Sequence, residues 1–194
     1  KGVMLSHSNL EASSKDWISL NGPHIPENAV DIHWLPLSHA FGIGAIMLGN
    51  CLGWQSVFAS PKDVLEKFAS VQPHTFLSVP AYWEKLYLQI QQAGGDQAAY
   101  EKFTGGRLRF GLSGRAGRKK EIKEGFHKRG LLVIEGYGLT ECSPTLTMNR
   151  HDHFNFDSVG VAYPSVELKL AEDGEILAKG PNVFKGYYKD PEAT

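Results

Sequence analysis

The sequence predicts an α/β protein, with a mostly parallel sheet covered by helices and followed by short antiparallel strands. Three observations carry that expectation. From Ala29 to Ile134, apolar runs of strand length take turns with amphipathic stretches of helix length, the pattern of a parallel sheet packed on both faces. Near Ser158 the texture changes to short alternating segments separated by turn dipeptides, which is hairpin grammar. A chain of 194 residues with 42% hydrophobic and 21% charged residues is ordinary globular material, enough for one core and the start of a second.

Along the chain, a helix start is expected near His7 and Asn9. A strand then follows over Ala29 to Leu35, a helix over Ala40 to Leu52 and a strand over Gln55 to Ala59. Next come a helix over Val64 to Val71, a strand over Thr75 to Val79 and a helix over Ala81 to Gln92. The series closes with a strand over Leu108 to Leu112, a helix over Lys119 to Lys128 and a strand over Leu131 to Ile134. Beyond it, Val166 to Leu170 and Gly174 to Lys179 pair across Asp173-Gly174, so residues 1–157 and 158–194 read as two units.

Composition also excludes. A formal net charge of -1 offers no electrostatic footprint for nucleic acid or an anionic membrane. The longest mainly apolar stretch, Ala40 to Val57, is interrupted by four glycines, Asn50 and Gln55, and is too short and too polar to span a bilayer. Only Cys51 and Cys142 are present, without paired spacing for zinc or a redox dithiol, which points to a reducing, cytoplasmic setting. The chain opens at Lys1 without methionine and stops at Glu192-Ala193-Thr194, so both ends read as cut.

Chemistry concentrates where strands end. Leu131 to Ile134 runs directly into Glu135-Gly136-Tyr137-Gly138-Leu139-Thr140-Glu141. In an open parallel sheet, ligands sit in such loops past the carboxyl ends of strands. Glycines admit close approach of backbone, Tyr137 offers a flat face for a base, Thr140 can donate to a phosphate oxygen and Glu141 is a hard ligand for Mg²⁺. A bland alternative stands beside this reading: a strand, a tight turn and a helix capped by Thr140. His39 likewise reads either as a core or capping histidine or as a functional one.

The stretch GYGLTECSP (Gly136 to Pro144) resembles the GYGxTE motif of the acyl-adenylating superfamily, which includes acyl-CoA synthetases, firefly luciferase and peptide-synthetase adenylation domains. KGVMLSHSNL (Lys1 to Leu10) is similar to the end of that family's phosphate loop. DGEILAKGPNVFKGYYKDPEAT (Asp173 to Thr194) resembles its GEL…G…GY…P…T motif. Three motifs in family order over nearly the whole chain favour the functional reading of the central loop, and the chain looks like an internal fragment of an AMP-forming acyl-CoA synthetase of the long-chain fatty acid type.

The resemblance implies that Tyr137 stacks on adenine, that Thr140 contacts phosphate and that Glu141 binds Mg²⁺. Glu135, Gly136, Gly138 and Leu139 would complete the nucleotide loop. Lys1 matches the phosphate-loop lysine. LPLSHAFGIG (Leu35 to Gly44) resembles the segment in which a histidine, here His39, sits beside the acyl carboxylate; Phe41, Ala45 and Cys142 would line the acyl pocket. Phe110 to Gly117 aligns with the family's SGGAPL, where Gly114, Arg115 and Ala116 would pack against adenine. Arg115 there replaces a glycine and Gly117 a proline.

By resemblance, the reaction joins a fatty acid to AMP from Mg-ATP and then to CoA, with ATP, Mg²⁺ and CoA as cofactor and co-substrates and no nucleic acid partner. The fold implied adds a distorted β-barrel after the helix-covered sheet. The glycine-rich body of the phosphate loop and the family's ribose-binding aspartate, hinge and C-terminal lysine are not in this sequence, so the fragment alone is expected to be inactive or nearly so. Delivery of the acyl group to a carrier protein, and a non-catalytic nucleotide-binding relative, are the rival readings. His151-Asp152-His153 is read as a solvated loop, and Arg118-Lys119-Lys120 as a solvated helix start.

Overall fold

A computed structural model describes residues 1–114 and 120–194. The first helix, α1 (His7–Asn21), begins at a capping box in which Ser6 and Asn9 exchange side-chain and backbone hydrogen bonds, satisfying donors that a helix start leaves free. A 3-10 turn follows, then β1 (Val30–His33), α2 (Ala40–Leu52) and β2 (Gln55–Phe58). The chain continues through α3 (Phe68–Val71), β3 (Thr75–Ser78), α4 (Pro80–Gln92), α5 (Gln97–Thr104) and β4 (Phe110–Gly114). The rest is α6 (Lys120–His127), β5 (Val133–Tyr137), a 3-10 turn at Thr140–Cys142, and the short strands β6 (Thr147–Met148), β7 (Val161–Ala162), β8 (Glu167–Leu170) and β9 (Ile176–Lys179).

One sheet of seven strands runs in the order β2-β1-β3-β4-β5-β6-β7. The first five are parallel, and β6 and β7 are antiparallel to their neighbours. From β1 the chain crosses outward to β2 and then returns past β1 to β3. Strand order therefore reverses between β1 and β3, and loops from the two directions part there to leave a crevice.

The same reversal moves the helices from one face to the other. Trp17 of α1 and Ala45 and Leu48 of α2 pack with Leu77, Leu112 and Ile134 on one face. On the other face Trp83, Leu86 and Phe126 of α4 and α6 pack with Ile32, Phe76 and Val133. Alternate residues of each central strand thus enter different cores, as the pleat requires. Burial of Trp83, Phe76, Phe110 and Phe126, all fully sequestered, contributes roughly 2 kcal/mol or more per side chain toward folding.

The parallel sheet covered by helices and the later antiparallel pair agree with the sequence expectation, with three differences of detail. Only Phe68–Val71 of the predicted 64–71 helix is regular. Before it the chain makes consecutive turns, because Asp63 accepts from both the Ser60 backbone and hydroxyl and fixes a local loop. Antiparallel pairing starts at β6, ahead of residue 158, and β7 still belongs to the main sheet. The separate hairpin β8–β9 begins only at Glu167.

Candidate functional site

The crevice at the strand-order reversal opens into a cavity of about 480 Å³, walled by His39, Phe41, Val79, Ser113, Gly114 and the 136–141 loop. These groups follow β1, β3, β4 and β5, so the carboxyl ends of four parallel strands converge on one space. That size is within the range of small-molecule and cofactor sites. Arg115 and Ala116, expected beside Gly114, lie outside the described residues.

His39 takes the capping role its sequence allows and also borders the cavity. It is the N-cap of α2, its Nδ1 accepting the Phe41 backbone N–H at 3.1 Å. A neutral imidazole that accepts at Nδ1 carries its proton on Nε2. His39 is exposed and borders the cavity, and an Nε2–H is a donor suited to a carboxylate oxygen. Capping occupies Nδ1 and leaves Nε2 free of the cap bond.

Phe41, together with Leu112, Pro144 and Thr145, borders both this cavity and a smaller one of about 40 Å³, which Ala45 borders from the next turn of α2. Gly114 faces that phenyl ring closely; a methyl group there would lie 2.7 Å from Phe41 Cε1. Cys142 corrects the expectation. It is not part of either cavity wall but is buried in the core shared by α1, α2 and the sheet. Burial, and then the neighbouring Glu141 charge, push its thiol up to about 11. The cause is the tight 3-10 turn, which swings successive side chains about a third of a revolution apart, so that Glu141 borders the cavity while Cys142 enters the core.

In the 136–141 loop, Tyr137 is half-buried and borders the cavity. Gly138 is required by the chain's own packing, since a Cβ there would sit 2.0 Å from the Pro144 carbonyl oxygen. Thr140 does not cap a helix: it opens the 3-10 turn, whose N-cap is Leu139 and lacks a side-chain cap bond. Its hydroxyl makes no hydrogen bond among the described residues and remains available to a ligand. Leu139 also borders the cavity and is 42% exposed.

Two further expectations are corrected. Glu135 turns away from the cavity: its Oε2 accepts from Lys123 Nζ of α6 at 2.8 Å, with both side chains almost fully buried. Strand alternation places Glu135 with Val133 on the α6 face, while Lys123 also donates to the Phe156 carbonyl. Removing either partner would strand a buried charge, a loss on the order of 3 kcal/mol. Lys1 also lies off the cavity wall. Pairing of residues 2–4 with 185–188 carries it over the Tyr187 ring, 5.1 Å from the centroid and 3.9 Å from Asp190 Oδ2.

Sequence reading overlooked what holds Glu141. Tyr187 donates its hydroxyl to Glu141 Oε1 at 2.7 Å, and the Phe184 N–H donates to the Glu141 carbonyl at 2.8 Å. The buried Asn182 amide donates to the carbonyls of Cys142 and Thr145. All three residues belong to the last motif, so its match was visible while its contact was not. His151, expected in solvent, is half-buried and stacks 4.1 Å from the His24 ring.

Among the described residues there is no cluster of three metal-ligating side chains. A single carboxylate beside a free hydroxyl, Glu141 with Thr140, instead fits Mg²⁺, which takes one or two protein carboxylates and fills its shell with phosphate oxygens and water.

One cleft at the carboxyl edge of a parallel sheet thus gathers a base-sized aromatic face, a hydroxyl, a carboxylate and an imidazole. A family model for AMP-binding enzymes matches residues 1–188, and the chain belongs to that family. It is similar to the long-chain-fatty-acid–CoA ligase of Salmonella typhimurium (strain LT2), with 29% identity over 216 residues, covering all of this chain and 36% of the relative. The ligase of the same name from Bacillus subtilis (strain 168) is 29% identical over 221 residues, with the same coverage. Among solved structures, ATP-bound MatB from Rhodopseudomonas palustris superposes with a TM-score of 0.80 at 28% identity, over 99% of this chain and 39% of MatB. A long-chain-fatty-acid-CoA ligase from Archaeoglobus fulgidus shares the fold, with a TM-score of 0.80 at 23% identity over 99% of this chain and 42% of that one. The chain spans about 36% of the length of these curated relatives. Among the described residues no helix is long and apolar enough to cross a membrane.

Proposed function

We propose that the intact protein activates a long-chain fatty acid in two steps. A carboxylate oxygen attacks the α-phosphorus of ATP, releasing pyrophosphate and forming acyl-AMP; the CoA thiol then attacks the acyl carbonyl and AMP leaves. The observation that carries this reading is the convergence of His39, Tyr137, Thr140 and Glu141 on one cleft in a chain of the AMP-binding family. Long-chain substrate and CoA acceptor are supported by the names of the curated relatives, and ATP by its presence in the MatB structure.

In this account Tyr137 gives a face to adenine and Thr140 donates to a phosphate oxygen. His39 Nε2–H orients the entering carboxylate, with Phe41 and Ala45 beside the first acyl carbons. Orientation of this kind makes the attack effectively intramolecular. Glu141 would hold Mg²⁺, which when bound with the nucleotide neutralises phosphate charge as a Lewis acid. Both cysteines are free, in keeping with a reducing cytoplasm. The 194-residue chain by itself is expected to be inactive or nearly so, as it spans about 36% of the relatives' length.

The test is fatty-acid-dependent ATP–pyrophosphate exchange in the intact protein. Glu141→Ala is expected to slow exchange about a hundredfold or more, since lost electrostatic stabilisation of roughly 3 kcal/mol corresponds to that factor, while the melting temperature stays near wild type. Wild-type exchange with a lowered melting temperature would make Glu141 a structural carboxylate and sink the metal assignment.

A further inference from the structure

The turn that presents Glu141 has little bonding of its own: Cys142 N–H to the Leu139 carbonyl and Ser143 N–H to the Thr140 carbonyl. A two-bond 3-10 turn is weakly determined. Its support comes from a segment some 40 residues later. Asn182, fully buried, donates from Nδ2 to the carbonyls of Cys142 at 3.0 Å and Thr145 at 2.9 Å. Ser143 Oγ donates back to the Asn182 carbonyl at 2.8 Å, and Phe184 N–H closes on the Glu141 carbonyl. Residues 182–184 therefore fix the backbone from Glu141 to Thr145.

That leaves the carboxylate itself, and Tyr187 reaches it. Glu141 borders the cleft whereas Tyr187 does not, so the hydroxyl holds Oε1 from behind. No other hydrogen bond to this carboxylate is found among the described residues. Tyr187 is itself anchored. Its N–H donates to Thr194 Oγ1 at 2.9 Å, it bridges to Val3, and its ring packs edge-on against Phe184 at 5.0 Å with the Lys1 ammonium over it.

Resting on the proposed function, we propose that Tyr187 is a positioning residue for the divalent cation of the nucleotide. Its hydroxyl pins Oε1 of Glu141, which leaves Oε2 directed to the cleft as the metal ligand. A glutamate held in one rotamer binds without the cost of ordering it, so loss of the hydroxyl costs affinity only when the metal is present.

The experiment measures ATP binding to the intact protein twice, with excess EDTA and with saturating Mg²⁺, for wild type, Tyr187→Phe and Glu141→Ala. The readout is the gain in nucleotide affinity that Mg²⁺ confers, together with the melting temperature. Tyr187→Phe is expected to lose roughly three- to tenfold of that gain, with unchanged binding in EDTA and an unchanged melting temperature, while Glu141→Ala loses the gain entirely. A full Mg²⁺-dependent gain in Tyr187→Phe, with Glu141→Ala impaired, overturns the positioning role and leaves the proposed function standing. So does an equal weakening with and without Mg²⁺ accompanied by a lower melting temperature, which marks a purely structural tyrosine. A full gain in Glu141→Ala as well overturns the metal assignment on which both rest.

Discussion

The two ends of the central sheet use the same residue type in opposite ways. At the carboxyl end His39 spends one ring nitrogen on the Phe41 N–H and borders the cleft. At the far end His151 lies between His24 and Phe110, with ring centroids 4.1 Å and 5.7 Å away. Burial, reinforced by the His24 ring, pulls its ionisation down to about 4. One histidine caps a helix at the cleft, where the proposed function uses it, and the other is kept uncharged as packing. The sequence already separates them by motif, and the fold supplies the physical reason: each occupies a different strand end, and the crevice of a parallel sheet opens at the carboxyl edge.

The effect on catalysis is expected at His39. His39→Asn keeps an N-cap side chain that can accept the Phe41 N–H but removes the imidazole donor. In the intact protein it should raise KM for the fatty acid about tenfold, the worth of one good hydrogen bond to a charged group, with KM for ATP and the melting temperature near wild type. Normal fatty acid kinetics in His39→Asn would reduce His39 to a cap and erase the contrast between the two ends.

An effect of similar free energy is expected at His151, and it appears in pH dependence rather than catalysis. Its folded pKa of about 4 lies below the ordinary histidine value of 6.5. The folded state therefore disfavours the proton, and the associated stability is complete above pH 6.5 and lost as pH falls toward 4. Allowing for partial exposure, the loss is on the order of 1–2 kcal/mol. Denaturant unfolding of wild type and His151→Gln at pH 7 and pH 4 should show the wild type losing that much more than the variant. Parallel losses would mean that the stacked ring titrates normally.

Much of this was legible in the sequence, for physical reasons. The strand-and-helix alternation from Ala29 onward was carried by buried apolar runs, and α2 runs from Ala40 to Leu52, the range its pattern predicts. The helix α5 went unread because eight residues behind Gly94-Gly95 give too short a period, and β6 and β7, two residues each, have no period at all. In the site, groups that follow their own strand were readable: His39 after β1, Gly114 at the end of β4 and Tyr137 to Glu141 after β5. Side-chain direction was not, which is why Glu135, Lys1 and Cys142 were placed in a cleft they do not border. Nor could local pattern show Tyr187 reaching Glu141, a hydrogen bond across 46 residues that only the folded chain creates.

The central claim is that the carboxyl-edge cleft is where the nucleotide and the acyl carboxylate meet. A crystal structure of the intact protein with Mg²⁺ and a non-hydrolysable acyl-adenylate analogue tests it most directly. The account predicts the adenine ring against Tyr137, the phosphate within hydrogen-bond reach of the Thr140 hydroxyl, and the acyl carbonyl facing His39 Nε2. An analogue bound elsewhere, or bound in the cleft with its acyl group on the side away from His39, would contradict it.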